Sequence, residues 1–447
     1  MSMNSEAKLS APWRWGSSLR SKFSSDFPSR SRRLISEHRQ RRRSLDRRIS
    51  DQSRRGLDWT NFFLADVQVS FGAFLAFYLA NLGWSKQDVG LVMAVGGLVG
   101  VAAQIPGGAL ADAVRWKRGL TAVGVLMISA AALILALWPS YTLVFAAATL
   151  HGMTGGMLGP AVAAISLGLT GRQGMSARIG RNFRFAAAGN ALTAAVTGAV
   201  ASYVSNNAIF LIAALLCIPT LIALSRIRAD EIDYVRARNA RKRDHSFDLA
   251  RIFDLLKNRD LLVFAVCLML FQFFNSSLLP VVGQNLVHGA DGMSPLYMAG
   301  LLIVPQLVVA VLAPWIGYWS ELRGRKILLL AGFGFAVLRA LLFAATGNPV
   351  AMLAIQILDG VTGAIITVLT ILVITDLTSG TGRFNLAQGF FGALTGASAA
   401  VSAGVFGFVA HRFGDFAALV SMAAGIAVGM ALLYACMPET KPDEYKD

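Results

Sequence analysis

Twelve apolar runs, each about twenty residues or longer, occupy most of the chain. They fall at roughly 60–81, 88–110, 118–138, 141–168, 183–204, 207–226, 260–283, 296–318, 326–346, 349–376, 385–410 and 415–437. A helix rising 1.5 Å per residue needs about twenty such residues to cross a hydrocarbon core ~30 Å thick. Backbone groups that cannot reach water must pair within their own segment, so the runs are expected to be helices. Of 447 residues, 55% are hydrophobic and only 15% charged. That charge supply is too small to clothe a soluble body of this size. The expectation is an all-α polytopic membrane protein with twelve transmembrane helices.

Net charge is +16, and its placement carries the topology. Arg115, Lys117 and Arg118 follow the second run; Arg172, Arg178 and Arg181 follow the fourth; Arg323, Arg325 and Lys326 follow the eighth. The alternate connections, such as Pro139-Ser140, Ser205-Asn206-Asn207 and Gly347-Asn348, are nearly free of basic residues. The positive-inside rule then expects both termini and the central connection in the cytoplasm. About two-thirds of the positive excess lies in residues 1–56, with runs such as Arg41-Arg42-Arg43. Such a tail is expected to lie disordered against anionic lipid, and no nucleic-acid partner is expected. No apolar core precedes the first run, so no secretory signal is read, and Glu6, Asp26 and Glu37 count against a transit peptide.

The expected organisation is a basic tail over 1–57, a six-helix bundle over 58–226, a cytoplasmic linker over 227–259, a second bundle over 260–438 and a cytoplasmic tail over 439–447. Residues 248–259 have helical apolar spacing with charge on the other face, as in an interfacial helix. Cys217, Cys267 and Cys436 sit inside apolar runs, with neither metal-ligand spacing nor a disulfide framework.

The two bundles read as copies. Leu150-His151-Gly152-Met153-Thr154-Gly155 recurs as Leu358-Asp359-Gly360-Val361-Thr362-Gly363, each in the middle of a long apolar run. Pro106-Gly107-Gly108 and Asp112 are matched by Pro314, Gly317 and Glu321, and Gly180-Arg181-Asn182 by Gly382-Arg383-Phe384-Asn385. These landmarks keep one order and a separation of 202–209 residues. A duplicated bundle with a matched charge-capable position in each half is the layout of a secondary transporter.

The loop Gly108…Asp112…Lys117-Arg118 and its copy Gly317…Glu321…Gly324-Arg325-Lys326 resemble the Gly-x-x-x-Asp-x-x-Gly-Arg-Lys/Arg signature of the major facilitator superfamily. In the first copy Arg115 stands where Gly is usual and Trp116 where Arg is usual; the second has Glu for Asp. The resemblance covers roughly residues 58–438. It implies two pseudo-symmetric six-helix bundles rocking about a midplane cavity, and a cytoplasmic latch in which each acid meets a helix N-terminus and a basic residue of the other bundle. The gate residues expected on that basis are Gly108, Asp112, Lys117, Arg118, Arg181, Arg184, Gly317, Glu321, Arg325, Lys326 and Arg383. Asp112 is expected to pair with Arg383, and Glu321 with Arg181 or Arg184; the plainer alternative is that these bases only set topology.

Asp66, His151, Arg339 and Asp359 fall at membrane depth, where a charge is costly unless paired or wet. Asp66 is the foremost candidate for proton coupling, and imidazole such as that of His151 titrates in the physiological range. In the family, Arg often stands at the place of His151; His151-x-x-x-Gly155 keeps the spacing and changes the base. The plainer reading has His151 donating to a carbonyl of a neighbouring helix, and Asp359 locked to Arg339 or to an amide of the eleventh run. Gln68, Gln104, Gln272, Asn275, Gln306, Gln356 and Gln388 are neutral polar groups at the same depth; some are expected to line the cavity and the others to bridge helices. Gly155-x-x-x-Gly159-Pro160 resembles the family's antiporter motif but lies on the fourth run rather than the fifth, so it reads as close packing at a Pro kink.

No nucleophile elbow, phosphate-cradling loop or metal spacing is present, so neither an enzyme nor a cofactor is expected. The expected function is alternating-access transport, coupled to protons, exporting a small organic or amphipathic solute across a bacterial inner membrane, with a monomer as the working unit. Proton symport or facilitated uptake is the first alternative; a lipid scramblase or membrane-anchored interaction protein is the more remote one. The few fixed charges at membrane depth argue against a polyanionic substrate.

Overall fold

The computed structural model describes residues 49–69, 75, 78–79, 82–203, 206–240, 255, 257–282 and 295–442. The long helices are α1 (Asp51–Val69), α2 (Lys86–Ala113), α3 (Lys117–Leu137), α4 and α5 within Tyr141–Tyr203, and α6 (Asn206–Ser225). The second half supplies α7 (Arg259–Asn275), α8 (Pro295–Arg323), α9 (Lys326–Ala345), α10 (Pro349–Leu377), α11 (Phe384–Phe413) and α12 (Asp415–Cys436). Helix Tyr141–Tyr203 is broken at Gly171, whose φ of 62° and ψ of −179° divide it into α4 (141–170) and α5 (172–203). A side chain would strain that backbone, and glycine has none.

Polar residues at the run edges start several helices. Ser85 Oγ accepts from the Asp88 amide to open α2, Asn258 from the Asp260 and Leu261 amides to open α7, and Asn348 from the Val350 and Ala351 amides to open α10. Pro349, with no amide hydrogen, fits the first turn of α10.

Two boundaries differ from the hydropathy reading, both at the end that carries the basic loops. Helix α1 opens at Asp51, so residues 51–57, read as tail, belong to it. Charged Asp51 and Arg55 lie on its exposed side, while Ser53, Gly56 and Leu57 are buried toward α6. Averaging the two faces hid the helix from a hydropathy window. Helix α5 begins at 172 rather than near 183, so Arg172, Arg178 and Arg181, read as a loop, occupy its first three turns. Both helices run past the apolar slab. The interfacial helix read at 248–259 falls largely outside the described residues; within it, Asn258 is the cap of α7.

Helices α1–α6 close round one apolar core, with Leu57, Tyr78, Val125, Ile128, Leu135, Leu158 and Phe210 buried in it. Helices α7–α12 close round another that includes Phe264, Phe271, Phe333, Leu369, Phe391 and Ile426. Tyr78 keeps its hydroxyl satisfied by donating to the Leu135 carbonyl at 2.7 Å. The bundles meet along two seams, α2 against α11 and α5 against α8. In lipid, contact between helices gains little from expelling water, so small residues that admit close backbone approach hold them together. Within the first bundle a Cβ built on Gly107 of α2 would lie 2.5 Å from the Gly156 carbonyl of α4.

Gly107→Val is therefore expected to destabilise the protein by about 1–3 kcal/mol, the usual scale of overpacking, and to lower the thermal midpoint in detergent. Gly97→Ala, where nothing lies within 4 Å of the added carbon, should leave that midpoint unchanged.

Candidate functional site

The two seams are built from the same parts. The offset of 209 residues that relates Gly108 to Gly317 also relates Ser176 to Asn385, Gly180 to Gly389 and Gln104 to Ala313. Gly108 of α2 abuts the Asn385 carbonyl of α11, and Gly317 of α8 abuts the Ser176 carbonyl of α5. Gly389 of α11 abuts the Gln104 carbonyl, and a Cβ on Gly180 would lie 2.5 Å from the Ala313 carbonyl. Four glycines thus bring backbone against backbone. At each, any side chain would drive the bundles apart.

The closest glycine contacts between the bundles lie toward the end with the basic loops. Along α2 the seam face runs Gly108, Gln104 and Val101, and a Cβ built on Gly396 of α11 would lie 3.1 Å from the Val101 side chain. Farther along the same faces, a Cβ on Gly97 or Gly90 of α2, or on Gly407 of α11, would meet nothing within 4 Å. On the other seam Arg184 Nε donates to the Ala310 carbonyl (3.2 Å) and Asn190 donates to Gln306 Oε1 (3.3 Å).

Hydrogen bonds fasten the closed end. Asp112, at the end of α2, accepts from Asn385 Nδ2 (2.8 Å) and the Leu386 amide (2.8 Å), so a carboxylate caps the positive end of the α11 dipole. Those contacts replace the pairing with Arg383 expected from sequence, because Arg383 is the N-cap residue of α11 and its amide donates to Thr381 Oγ1. Asn385 Nδ2 also donates to the Ala237 carbonyl (3.1 Å), tying in the connection between the bundles. That connection turns at Asn239, with φ of 59°, whose side-chain Nδ2 donates to the Thr375 carbonyl (2.6 Å). Lys117, buried beside Asp112, donates to the Ala111 carbonyl, and Arg118 donates to the Ser225 carbonyl (3.2 Å).

Glu321 occupies the matching place on α8 with different partners. It pairs with Arg325 one turn along (2.8 Å) and accepts from Ser176 Oγ of α5. Arg325 also pairs with Asp376 at the end of α10 (3.2 Å) and donates to the Ser320 carbonyl (2.7 Å). Neither Arg181 nor Arg184 fills the role expected for it beside Glu321. Arg181 is drawn inside its own bundle by Asp58 of α1 (2.5 Å), which Arg178 also binds, and Arg184 reaches the Ala310 carbonyl. Gly324, at φ 89°, turns the chain so that Arg325 folds back, and Glu439 accepts the Arg325 and Lys326 amides. In the first copy Arg115 lacks positive φ and Trp116, in the place of Arg325, is exposed.

At membrane depth in the second bundle, Arg339 pairs with Asp359 and donates to Asn275 Oδ1 (3.0 Å), joining α7, α9 and α10. Arg339 is buried, Asp359 is 30% exposed, and Arg339 Nε has no hydrogen-bond partner. His151 is half-buried on α4, beside Gly152, which packs on Gly96 of α2. Gln104 presses its side-chain amide on Gly392, whereas Gln356 is fully buried and donates to the Leu301 carbonyl (2.9 Å), a bridge between α10 and α8. Gln272 and Gln388 are half-buried, and Gln388 Nε2 has no partner. The side chains of Asp66 and Gln68 lie outside the described residues.

Asp58, Ser176, Asn190, Asp376, Asn239 and Glu439 had not been singled out from the sequence as site residues. Asp58 and Asp376 lie at run edges, where a carboxylate reads as solvated; that both are almost fully buried is a property of the packed helices.

The family model described as Major Facilitator Superfamily matches residues 59–304 and 290–447. The uncharacterized MFS-type transporter Rv2456c of Mycobacterium tuberculosis strain ATCC 25618 / H37Rv is 35% identical over 393 residues, 86% of this chain and 93% of its own. The uncharacterized MFS-type transporter MT2531 of strain CDC 1551 / Oshkosh matches with the same values. Among solved structures, the human organic anion transporter MFSD10 (TETRAN) superposes with a TM-score of 0.64 at 15% identity, over 87% of this chain and 99% of that one.

Removing one partner of a buried ion pair strands the other, at about 3–5 kcal/mol. Arg339→Leu is accordingly expected to lower the thermal midpoint strongly, and adding Asp359→Leu to restore much of it. Asp112→Ala leaves the Leu386 amide and the Asn385 side chain short of an acceptor, a loss of about 1–3 kcal/mol. A cysteine introduced at buried Ala109 should then be alkylated roughly tenfold faster than in the parent.

Proposed function

The chain belongs to the Major Facilitator Superfamily and is an integral membrane secondary transporter, and we propose that it couples proton movement to export of a small organic or amphipathic solute. The observation that carries alternating access is the gathering of the closest glycine contacts toward one end. On the α2–α11 seam the bundles touch backbone to backbone beside the basic loops, whereas a Cβ on Gly90, Gly97 or Gly407, farther along the same faces, would meet nothing within 4 Å. A body closed at one end and parted at the other is one member of a pair of states, related by rocking the bundles about their shared seams.

By the positive-inside rule the closed, basic end is the cytoplasmic one, with both termini there, and the membrane is a bacterial inner membrane. Asp66 and His151 are the candidates for carrying the proton: one is a carboxylate on the first helix, the other the titratable group at the repeat's midpoint. Asp359, the repeat partner of His151, is held by Arg339, so the second bundle offers a neutralised pair instead. A solute carrying little fixed charge fits such a set of polar groups, with Gln104, Asn190 and Gln306 beside the seams as hydrogen-bonding partners. Uptake by symport uses the same cycle in reverse order and remains the second reading.

The test is proton movement in proteoliposomes loaded with a pH dye, challenged with cationic, neutral and anionic organic solutes. Solute-dependent proton flux is expected in the parent and should vanish in Asp66→Asn and fall in His151→Ala. Solute movement without proton flux, equal in all three proteins, would overturn the coupling and leave a uniporter or exchanger.

A further inference from the structure

On the outer side of the first bundle, at the end that carries the basic loops, α1 and α6 leave a groove of about 630 Å³. Its walls are one face of each helix: Arg55, Trp59 and Phe63 from α1, and Arg226, Ile222 and Pro219 from α6. Spacings of three and four residues put each set on a single stripe. The helices touch at Gly56, where a Cβ would lie 2.9 Å from the Ala223 carbonyl, and this contact sets the floor.

Polarity changes along the groove. Its mouth holds two guanidinium groups, both exposed, and neither makes a side-chain hydrogen bond or ion pair with a described residue. Asp51, at the lip, is drawn to Arg54 at 3.8 Å. Phe63 and Pro219 lie seven or eight residues deeper than the arginines, about 10–12 Å at helical rise. Trp59, 47% exposed, sits between the two zones at the depth where indole prefers the membrane interface.

We propose that this groove is a binding site for an anionic phospholipid, its phosphate held between Arg55 and Arg226 and one acyl chain laid on Trp59, Phe63, Ile222 and Pro219. Two unpaired guanidinium groups forming one mouth supply the charge complementarity, since guanidinium matches phosphate in geometry as well as sign. A free phosphate would use only the mouth. The apolar floor rewards a ligand that carries its own hydrocarbon and approaches from the bilayer. Every residue of the site belongs to α1 or α6, and none to the Arg-rich stretch 1–48.

The test is native mass spectrometry of the full chain offered equal amounts of phosphatidylglycerol and phosphatidylcholine. The parent should retain phosphatidylglycerol in preference to phosphatidylcholine, and R55Q/R226Q should cut that preference roughly thirtyfold, the scale of two basic contacts to one headgroup. R47Q/R48Q removes the same charge from the stretch 1–48 and should leave the preference intact. Because the side chains of the two groove arginines bond to no described residue, the thermal midpoint of R55Q/R226Q in neutral lipid should match the parent. Equal retention of the two lipids by the parent, no effect of R55Q/R226Q, or an equal loss in R47Q/R48Q would each overturn the proposal.

Discussion

Backbone contact at four glycines sets how the two halves of this protein can sit. Gly108, Gly389, Gly180 and Gly317 each bring a carbonyl of the opposite bundle closer than a side chain would allow. Lipid offers little water to expel, so attraction between the bundles must come from close approach and from hydrogen bonds that shallow contact could not reach. With the backbones in contact, Asp112 reaches the first turn of α11 and Glu321 reaches Ser176. The same shallow profile lets the bundles part, because glycine against carbonyl interlocks nothing.

Duplication supplied one plan and the halves diverged within it. In the second half a buried Arg325 stands between Glu321 and Asp376; in the first, a buried Asp58 stands between Arg178 and Arg181. In one cluster a single base, Arg325, binds two acids, in the other a single acid, Asp58, binds two bases, and both border the α5–α8 seam. Gly168 stands where the repeat would place Asp376, and its carbonyl accepts the Asp233 amide of the connecting segment. A segment joining the bundles thereby takes a place that a carboxylate holds in the other copy. Buried ion pairs contribute little net stability, but stranding one partner is costly, which makes them good markers of a defined closed arrangement.

Much of this was legible in residue order. The helix starts at Ser85, Asn258 and Asn348 had not been read from the sequence, although a short polar side chain ahead of an apolar run is what an open first turn accepts. The repeat around Gly108 and Gly317 located both seams. Gly180, of equal weight in the structure, was matched by sequence to Gly382, whereas the offset that relates the touching residues pairs it with Gly389, which carries no motif of its own. Arg178 and Arg181 were read as part of a loop and Asp58 was not singled out, because charge is taken as a sign of water. Helices that extend beyond the bilayer can bury charges against one another while appearing, residue by residue, to be a loop.

Sequence by itself determined that the chain spans a membrane as helices, that it is built from two copies and that basic residues gather at one end. Those properties follow from local demands: backbone satisfaction in lipid, the length of a span, and charge against an asymmetric bilayer. Only the tertiary structure decided which acid meets which base. It gave Asp112 a helix end instead of Arg383, turned Arg181 inward to Asp58, and joined Asp359 to Arg339 from among several possible partners. Pairing depends on which faces of distant helices come together within a few ångströms, and that is fixed by packing of small residues at the crossings.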